Sequence, residues 1–183
     1  YWNGHGWEDP LSSEIFTKRQ QVYAKMFNER QIYTPQMIVN GREHVVGSDF
    51  SKLQSFIHKY KNKDHSSGAQ LLLEKTSPAF EGKMKFKYKL SNFDFFHPMI
   101  LNVAYLQSNV SNYISAGENS GKTLSHSNVV KRFLSQKIEK SEGHITFDLK
   151  YYKLGIESEI ISYVQDPKTM IVLAATRYSL YTK

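Results

Sequence analysis

IYTPQMIVNGREHVV, residues 32–46, is the stretch of sequence that decides the fold. Residues 32–39 are rich in apolar and β-branched side chains and predict a strand, and residues 43–46 predict the strand that returns. Between them, Asn40-Gly41 predicts a two-residue type I′ turn, because asparagine and glycine readily adopt the positive φ angles that this turn requires. The stretch therefore predicts a β-hairpin.

A helix is predicted on each side of this hairpin. Before it, Ser12 is the predicted N-cap and Glu14 lies in the first turn. Mostly apolar residues recur there at three- and four-residue spacing and predict one helix face, the helix stripe, that a sheet would have to cover. They are Ile15, Phe16, Arg19, Val22, Tyr23, Met26 and Phe27. After the hairpin, Ser48 or Asp49 caps a second helix. One face of that helix comprises Phe50, Leu53, Phe56, Ile57 and Tyr60.

The pattern changes after a polar, aperiodic segment at residues 63–68, which we interpret as a linker. Beyond it, short strand signals alternate with Ser, Asn, Gly and Pro. The predicted strands span residues 70–75, 83–90, 99–107, 129–134, 145–151, 159–165 and 170–178. This spacing predicts an antiparallel β-sandwich over residues 69–183, preceded by a separate unit at residues 1–62.

The charge of the chain does not predict a nucleic-acid partner. Its 183 residues carry a formal net charge of +7, with a pI near 9.4, but the positive charge is spread along the sequence. The most regular part alternates lysine with apolar residues, at Lys83, Lys85, Lys87 and Lys89. Period two puts these lysines on one face of a strand, which favours a solvated sheet face or a lysine-guarded edge over a phosphate-binding surface. No apolar run approaches the roughly 20 residues that a membrane span needs.

Several chemistries lack the residues they require. The chain contains no cysteine, so it forms no disulfide, thiolate nucleophile or cysteine zinc site. Its histidines are scattered, and we predict no bound metal and no cofactor. No Ser-His-Asp order or supported carboxylate pair occurs, so we name no catalytic residue. The chain starts at Tyr1-Trp2 without a methionine, inside what looks like structured sequence, and we expect a processed or truncated product.

Several short motifs, taken in order, resemble a family of bacterial secreted proteins with a thioredoxin-like fold, catalogued as a domain of unknown function. The first signature comprises Tyr1-Trp2, Gly6-Trp7-Glu8-Asp9-Pro10, Phe16-Thr17 with Arg19-Gln20, Tyr33-Thr34-Pro35-Gln36-Met37, and Gly47-Ser48-Asp49. The second comprises Gly117-Glu118-Asn119, Gly121 to Leu124, His126, and Asn128 to Val130. The resemblance covers most of the chain.

The resemblance implies an α+β fold class, a partial thioredoxin-like α/β domain at residues 1–62 followed by the antiparallel β-sandwich. It implies that Thr34-Pro35 occupies the position of the cis-proline that faces a redox centre; the alternative is a simple strand-entry proline. In the family the cysteine-bearing unit lies upstream of the part that this chain contains. We therefore expect another segment to cover the hairpin edge: the missing N-terminal segment, a second copy of the chain or another envelope protein.

Two functions follow as hypotheses, both in the periplasm or secreted. The first is a thioredoxin-like protein whose intact form handles thiols, although this chain has none. The second is a non-enzymatic protein- or peptide-binding module of the cell envelope. The residues predicted to form a redox-site wall or a peptide-binding surface are Trp2, Trp7, Thr34 and Pro35. The two tryptophans could equally be a packing lid.

Residues 116–123, AGENSGKT, fit a relaxed phosphate-loop pattern. That motif requires a strand before it and a helix after it, whereas its flanks here predict short strands, so we favour a polar connection that satisfies its own backbone. A polar site of unknown role stays open at Glu118, Asn119, Thr123 and His126. His126 is an acid/base residue, a ligand or a hydrogen-bonded structural histidine.

Overall fold

A computed structural model describes residues 9–61, 68–76, 82–117, 119–152 and 158–180 of the chain. The two helices are α1 (Glu14–Met26) and α2 (Phe50–Lys61). The strands are β1 (Gln36–Val39), β2 (Glu43–Val46), β3 (Gln70–Lys75), β4 (Lys83–Ser91), β5 (Met99–Gln107), β6 (Val110–Tyr113), β7 (Thr123–His126), β8 (Val129–Ile138), β9 (Glu142–Asp148), β10 (Ser158–Gln165) and β11 (Val172–Ser179).

Two antiparallel sheets enclose the main core. One has four strands in the order β11-β10-β5-β8, and the other has three in the order β3-β4-β9. Buried side chains from both sheets form one cluster, which includes Phe86 and Phe147 from the smaller sheet and Leu101, Val103 and Ile160 from the larger. Burial of this apolar surface is what holds the two layers together.

The lysine alternation of β4 was predicted correctly. The side chains of Met84, Phe86, Tyr88 and Leu90 are buried, and the lysines between them lie on the outer face. Because β4 pairs with both β3 and β9, it is a central strand and not an edge. Lys87 and Lys89 form ion pairs with Glu142 on β9, at 2.8 and 3.4 Å between nitrogen and oxygen. These lysines therefore form a solvated sheet face.

The β1–β2 hairpin lies between the two helices. On one face Gln36 accepts a hydrogen bond from Gln20 of α1 at 3.1 Å. On the opposite face Glu43 accepts one from Tyr60 of α2 at 2.9 Å. The turn has positive φ angles at both Asn40 and Gly41, 53° and 68°, as the predicted type I′ turn requires.

The hairpin and α1 are both attached to the large sandwich sheet. Phe16 of α1 packs edge-on against Phe133 of β8, with ring centroids 5.9 Å apart. At the hairpin tip the Val172 N–H donates to the Asn40 carbonyl oxygen at 2.9 Å. A Cβ on Gly41 would lie 1.9 Å from the Met170 carbonyl oxygen, so only glycine fits there.

The predicted partial thioredoxin-like α/β domain is wrong. The structure is a β-rich fold of antiparallel sheets, with 47% of the described residues in strands and 16% in its two helices. The physical reason is that β1 and β2 have four residues each and pair only with each other within the described chain. A pair that short offers no broad sheet for helices to cover, and α1 buries part of its stripe on the sandwich instead.

Two further features of the fold concern the predicted linker and two short strands. Residues 62–67, which contain most of the linker predicted at 63–68, lie outside the described residues, and the division into units at 1–62 and 69–183 stays a prediction. The strands β6 and β7 were not predicted. They pair with each other and continue the β5–β8 pair outward as an arm, with Asn109 and Asn128 at positive φ where the arm begins.

Candidate functional site

An open groove of about 580 Å³ runs between α1 and β1. Gln20 and Tyr23 line it from the helix, Gln36 and Ile38 line it from the strand, and residues 9–13 contribute at one end. The strand side is the edge of a two-stranded sheet with no further strand on it in the described chain. The groove therefore lies beside a strand edge that is unpaired in the described chain.

Two residues of β1 turn their backbone groups toward that open edge. The carbonyl oxygens of Pro35 and Val39 accept hydrogen bonds from the β2 side of the hairpin, both at 2.9 Å. Backbone groups alternate in direction along a strand, so those of Gln36 and Ile38 point away from β2. The same two residues line the groove. The side chains of Gln36 and Ile38 thus line the groove from one face of β1, and the unpaired backbone edge of the strand lies beside it.

Arg19 of α1 also lines the groove and is held by the residues beneath it. Its Nη2 donates to the Gln165 Oε1 at 2.7 Å, to the Tyr163 hydroxyl at 2.9 Å and to the Tyr23 hydroxyl at 3.3 Å. Its guanidinium carbon lies 5.3 to 5.9 Å from the ring centroids of Tyr23, Tyr163 and Phe133. Cation–π contact and hydrogen bonds therefore fix the position of this charge.

Gln165 is the centre of this anchoring network and is only 2% exposed. Its Nε2 donates to the Tyr23 hydroxyl at 2.7 Å and to the Met170 carbonyl oxygen at 2.5 Å. Its Oε1 also accepts from the Asn102 side chain at 3.3 Å. Burial raises the pKa of the neighbouring Tyr163 hydroxyl to about 12, so this hydroxyl stays protonated and neutral near pH 7. The network ties α1 to β5, β10 and the turn after β10.

Large exposed apolar side chains are concentrated in the segment that contains the two helices and the hairpin, and none of those described lines the groove itself. Among the described residues, eight of the twelve large exposed hydrophobic side chains lie before residue 61: Ile15, Val22, Met26, Ile32, Met37, Val46, Phe50 and Ile57. Ile15 of the predicted helix stripe is 70% exposed. Such concentration is typical of a surface that another polypeptide covers.

The first predicted set of site residues lies partly at the groove. Thr34 lines it, and both Thr34 and Pro35 are exposed. The Thr34–Pro35 peptide bond is cis, as the resemblance implied. Trp2 and Trp7 lie outside the described residues, so their part in this surface stays a prediction.

The second predicted set is on the β6–β7 arm, away from the groove. Thr123 and His126 lie on opposite faces of β7, because they are three positions apart in the strand and side chains alternate between its faces. His126 is half-buried and its Nε2 lies 2.6 Å from the Asn112 Oδ1. The exposed Asn119 accepts from Lys122 Nζ at 3.1 Å, and Glu118 is outside the part of the chain that is described. The structure does not bring Thr123 and His126 together.

The phosphate-loop pattern at residues 116–123 lacks its structural context. Thr123 begins β7, an antiparallel strand, where the motif would need a helix. The loop closes on itself, since the Gly121 N–H donates to the Ile114 carbonyl oxygen at 2.8 Å. Within the described ranges, no group of three His, Cys, Asp or Glu residues could hold a metal ion.

Apart from Thr34, the described residues that line the groove were not identified as a site from the sequence. Arg19 belongs to the predicted helix stripe and to the first family signature, but it was not predicted as a site residue; an arginine inside an apolar stripe was the available signal. Its acceptor Gln165 lies 146 residues away in the chain, which no local pattern shows. Ile38 was predicted as a strand residue, but its open side depends on which strands pair.

Comparison with known proteins places the chain in context. The model of a family described as "Protein of unknown function (DUF1223)" matches residues 1–165, which confirms the predicted resemblance to a domain of unknown function. The fold is similar to that of protein AGR_C_4864 from Agrobacterium tumefaciens, at 18% identity and a TM-score of 0.72, over 100% of this chain and 78% of that one. It is also similar to HBP35 of Porphyromonas gingivalis, at 15% identity and a TM-score of 0.61, over 95% of this chain and 61% of that one. No curated protein matches the sequence.

Proposed function

The chain belongs to the family described as Protein of unknown function (DUF1223), and we propose that this member is a non-enzymatic binding module that takes an extended polypeptide segment into the groove beside β1. The observation that carries this proposal is the unpaired β1 edge beside the groove, where the backbone groups of Gln36 and Ile38 point away from β2. An extended segment of another protein would add a strand there and pair with those groups.

The side chains of β1 support the proposal because they do not protect its edge. Natural sheets discourage unwanted pairing with charged side chains, and the edge strand β8 carries three, Lys131, Arg132 and Lys137. The sequence of β1 is QMIV, without a charge. Shortness is its one protective feature. An unguarded edge beside a groove is expected where a specific partner strand binds.

The expected affinity is modest. Gln36 and Ile38 offer two N–H and two C=O groups, and each backbone hydrogen bond contributes about 0.5–1.5 kcal/mol net. Their sum of about 2–6 kcal/mol does not by itself overcome the cost of association, so contacts of side chains with the groove must add to it. We expect dissociation constants on the order of micromolar.

The experiment compares two substitutions at one position, using peptides selected on the wild-type chain from a phage library of random ten-residue sequences. Ile38→Pro removes the outward N–H but leaves the β1–β2 pairing intact, because that N–H points away from β2. Ile38→Ala removes the same side chain and keeps the N–H. Fluorescence anisotropy should show at least tenfold weaker binding for Ile38→Pro than for Ile38→Ala. Equal binding by the two variants would refute strand addition at β1.

A location in the periplasm or outside the cell is part of the same proposal, and it rests on the resemblance of the sequence motifs. Fractionation of cells that make the natural protein, followed by immunodetection, tests it; recovery in the cytoplasmic fraction would contradict it. The structure adds one finding, that no described helix has the length and apolar character to cross a bilayer. Thiol–disulfide chemistry has no specific observation in its favour, because this chain contains no cysteine.

A further inference from the structure

Arg19 carries a positive charge that has no carboxylate partner in the described part of the chain. The contacts of its guanidinium with Tyr23, Tyr163 and Gln165 all involve Nη2. No acceptor within the described residues bonds to its Nη1 or Nε. These two nitrogens hold three of the five N–H donors of an arginine side chain.

A partly buried charge is energetically costly unless a group of opposite charge pairs with it. Arg19 is half-buried among three aromatic rings, where less water reaches the guanidinium than at an open surface. The neutral acceptors Tyr23, Tyr163 and Gln165 hold the guanidinium in position but do not neutralise its charge. Asp9 also lines the groove, yet it forms no ion pair with Arg19, and its Oδ1 accepts from the Leu11 N–H at 2.9 Å. Arginine in a fixed orientation is the side chain best suited to bind a carboxylate through two nitrogens.

We infer that the extended segment held beside β1 carries a carboxylate, and that Arg19 binds it. This inference rests on the proposed function, because Arg19 lines the same groove as Gln36 and Ile38 of β1. The occupant is then an acidic peptide segment of another protein. The carboxylate belongs either to an aspartate or glutamate side chain or to the carboxyl terminus of that segment.

A second copy of this chain fits the groove less well. Pairing of two β1 edges would bring in residues 36–39, which contain no acidic side chain to meet Arg19. Each copy would also contribute its own Arg19 near the shared edge, and like charges repel. Charge complementarity therefore favours an acidic partner over self-association.

The experiment uses a phage library that displays random ten-residue peptides with free carboxyl ends, selected on the wild-type chain and on Ile38→Pro. We expect peptides whose binding depends on Ile38 and that are enriched in aspartate or glutamate or need a free carboxyl end. For each selected peptide, the Glu→Gln or Asp→Asn version and the C-terminal amide are measured on the wild-type protein. Removing the responsible carboxylate should weaken binding about tenfold, and the change identifies which carboxylate Arg19 binds. Raising the salt concentration should weaken the acidic peptide more than its neutral version.

The outcomes separate the two proposals. Peptides that bind, depend on Ile38 and tolerate loss of every carboxylate would overturn the role of Arg19 and leave strand addition standing. Failure to select any peptide that distinguishes wild type from Ile38→Pro would overturn both. A concentration-dependent dimer in sedimentation velocity that Ile38→Pro abolishes would overturn the acidic partner in favour of a second copy.

Variants of Arg19 add a second readout. Arg19→Gln should remove the preference for the carboxylate, so that the acidic peptide and its neutral version bind within about twofold of each other. Arg19→Lys should keep part of it, because a lysine supplies the charge without the planar pair of donors. Arg19 also anchors α1, so each variant is first checked for cooperative unfolding. The peptide substitutions on the wild-type protein test the inference even where a variant does not fold.

Discussion

Replacing Gln165 with leucine tests whether the polar network beneath the groove holds α1 in place. Leucine has a similar volume but neither donates nor accepts a hydrogen bond. The change therefore removes the two bonds that the Nε2 donates, to Tyr23 and Met170, and the two that the Oε1 accepts, from Arg19 and Asn102.

The magnitude follows from which partners are left without a bond. Arg19 keeps its bonds to the hydroxyls of Tyr23 and Tyr163, so neither Arg19 nor Tyr23 is left without a partner. The Met170 carbonyl and the Asn102 amide nitrogen are buried, and neither has another hydrogen-bond partner among the described residues. Each orphaned buried group costs about 1–3 kcal/mol, and the added apolar side chain offsets about 1 kcal/mol. We expect the free energy of unfolding to fall by about 3 kcal/mol.

Urea denaturation followed by circular dichroism measures this loss, with Gln70→Leu as the matched control. Gln70 is an exposed glutamine of β3, and the same substitution there should change the free energy of unfolding by less than about 0.5 kcal/mol. Hydrogen exchange should in addition become faster in α1 of the Gln165 variant than in β4. A loss below about 1 kcal/mol, with unchanged exchange in α1, would show that the network does not hold the helix.

Three further predictions concern single positions. Gly41→Ala should lower the free energy of unfolding by at least about 3 kcal/mol in urea titrations, because its φ is +68° and the added Cβ meets a carbonyl oxygen. The control Gly117→Ala, at φ +84° with no atom within 4 Å, should lower it by only about 1 kcal/mol. Equal losses would contradict the crowding at the hairpin tip. The hydrogen bond from Lys59 holds the pKa of Glu43 below its ordinary 4.5. The stability that this carboxylate contributes is therefore present above pH 4.5 and is lost as the pH falls through the lowered pKa. Urea titrations should show Glu43→Gln less stable than wild type at pH 7, with a smaller difference at pH 3. Burial raises the pKa of Tyr163 from 10.0 to about 12, so the unfolded chain loses this proton at lower pH than the folded chain and stability falls as the pH rises above 10. Tyr163→Phe should therefore lose less stability than wild type between pH 8 and pH 11. Parallel losses would refute the burial of the hydroxyl.

Local sequence patterns predicted the elements of the fold well where one short segment carries the information. Asn40-Gly41 predicted its turn because the two backbone angles depend on those residues alone. The lysines of β4 predicted a strand with one buried face because alternation is a property of the strand itself. The strands β6 and β7 were not predicted. The sequence of β6 is VSNY, which has too few apolar residues to show the alternation of apolar and polar positions that marks a strand.

The pairing of elements was not predictable in the same way. The hairpin was expected to belong to a thioredoxin-like sheet, but the partner of a strand edge is set by the rest of the fold and not by its own residues. Ile15 illustrates the consequence for α1. Its spacing marks it as part of the stripe that a sheet covers, yet the helix turns Phe16 and Arg19 toward the sandwich and leaves Ile15 exposed. Helical spacing predicts a face and does not say which part of that face is buried.

The candidate site combines these two cases, which explains why the sequence predicted only part of it. Thr34 and Pro35 were predicted from a motif and lie at the groove or beside it. The position of Arg19, in contrast, depends on Gln165 and, through it, on Asn102. Such contacts join residues more than 60 positions apart, so they exist only once the sandwich has folded.

This dependence gives the sandwich a direct part in the proposed binding site. Asn102 is fully buried; its Oδ1 accepts from Ser135 of β8 at 2.6 Å, and its carbonyl oxygen accepts from Ser162 of β10 at 3.1 Å. The chain of bonds then passes through Gln165 to the guanidinium of Arg19. A buried network with its members satisfied fixes side-chain positions more firmly than a single exposed contact does. Ser135 and Ser162 never reach the groove, yet they help to set where its charge lies, so substitutions there should change the preference for acidic peptides without changing the strand edge that binds the peptide backbone.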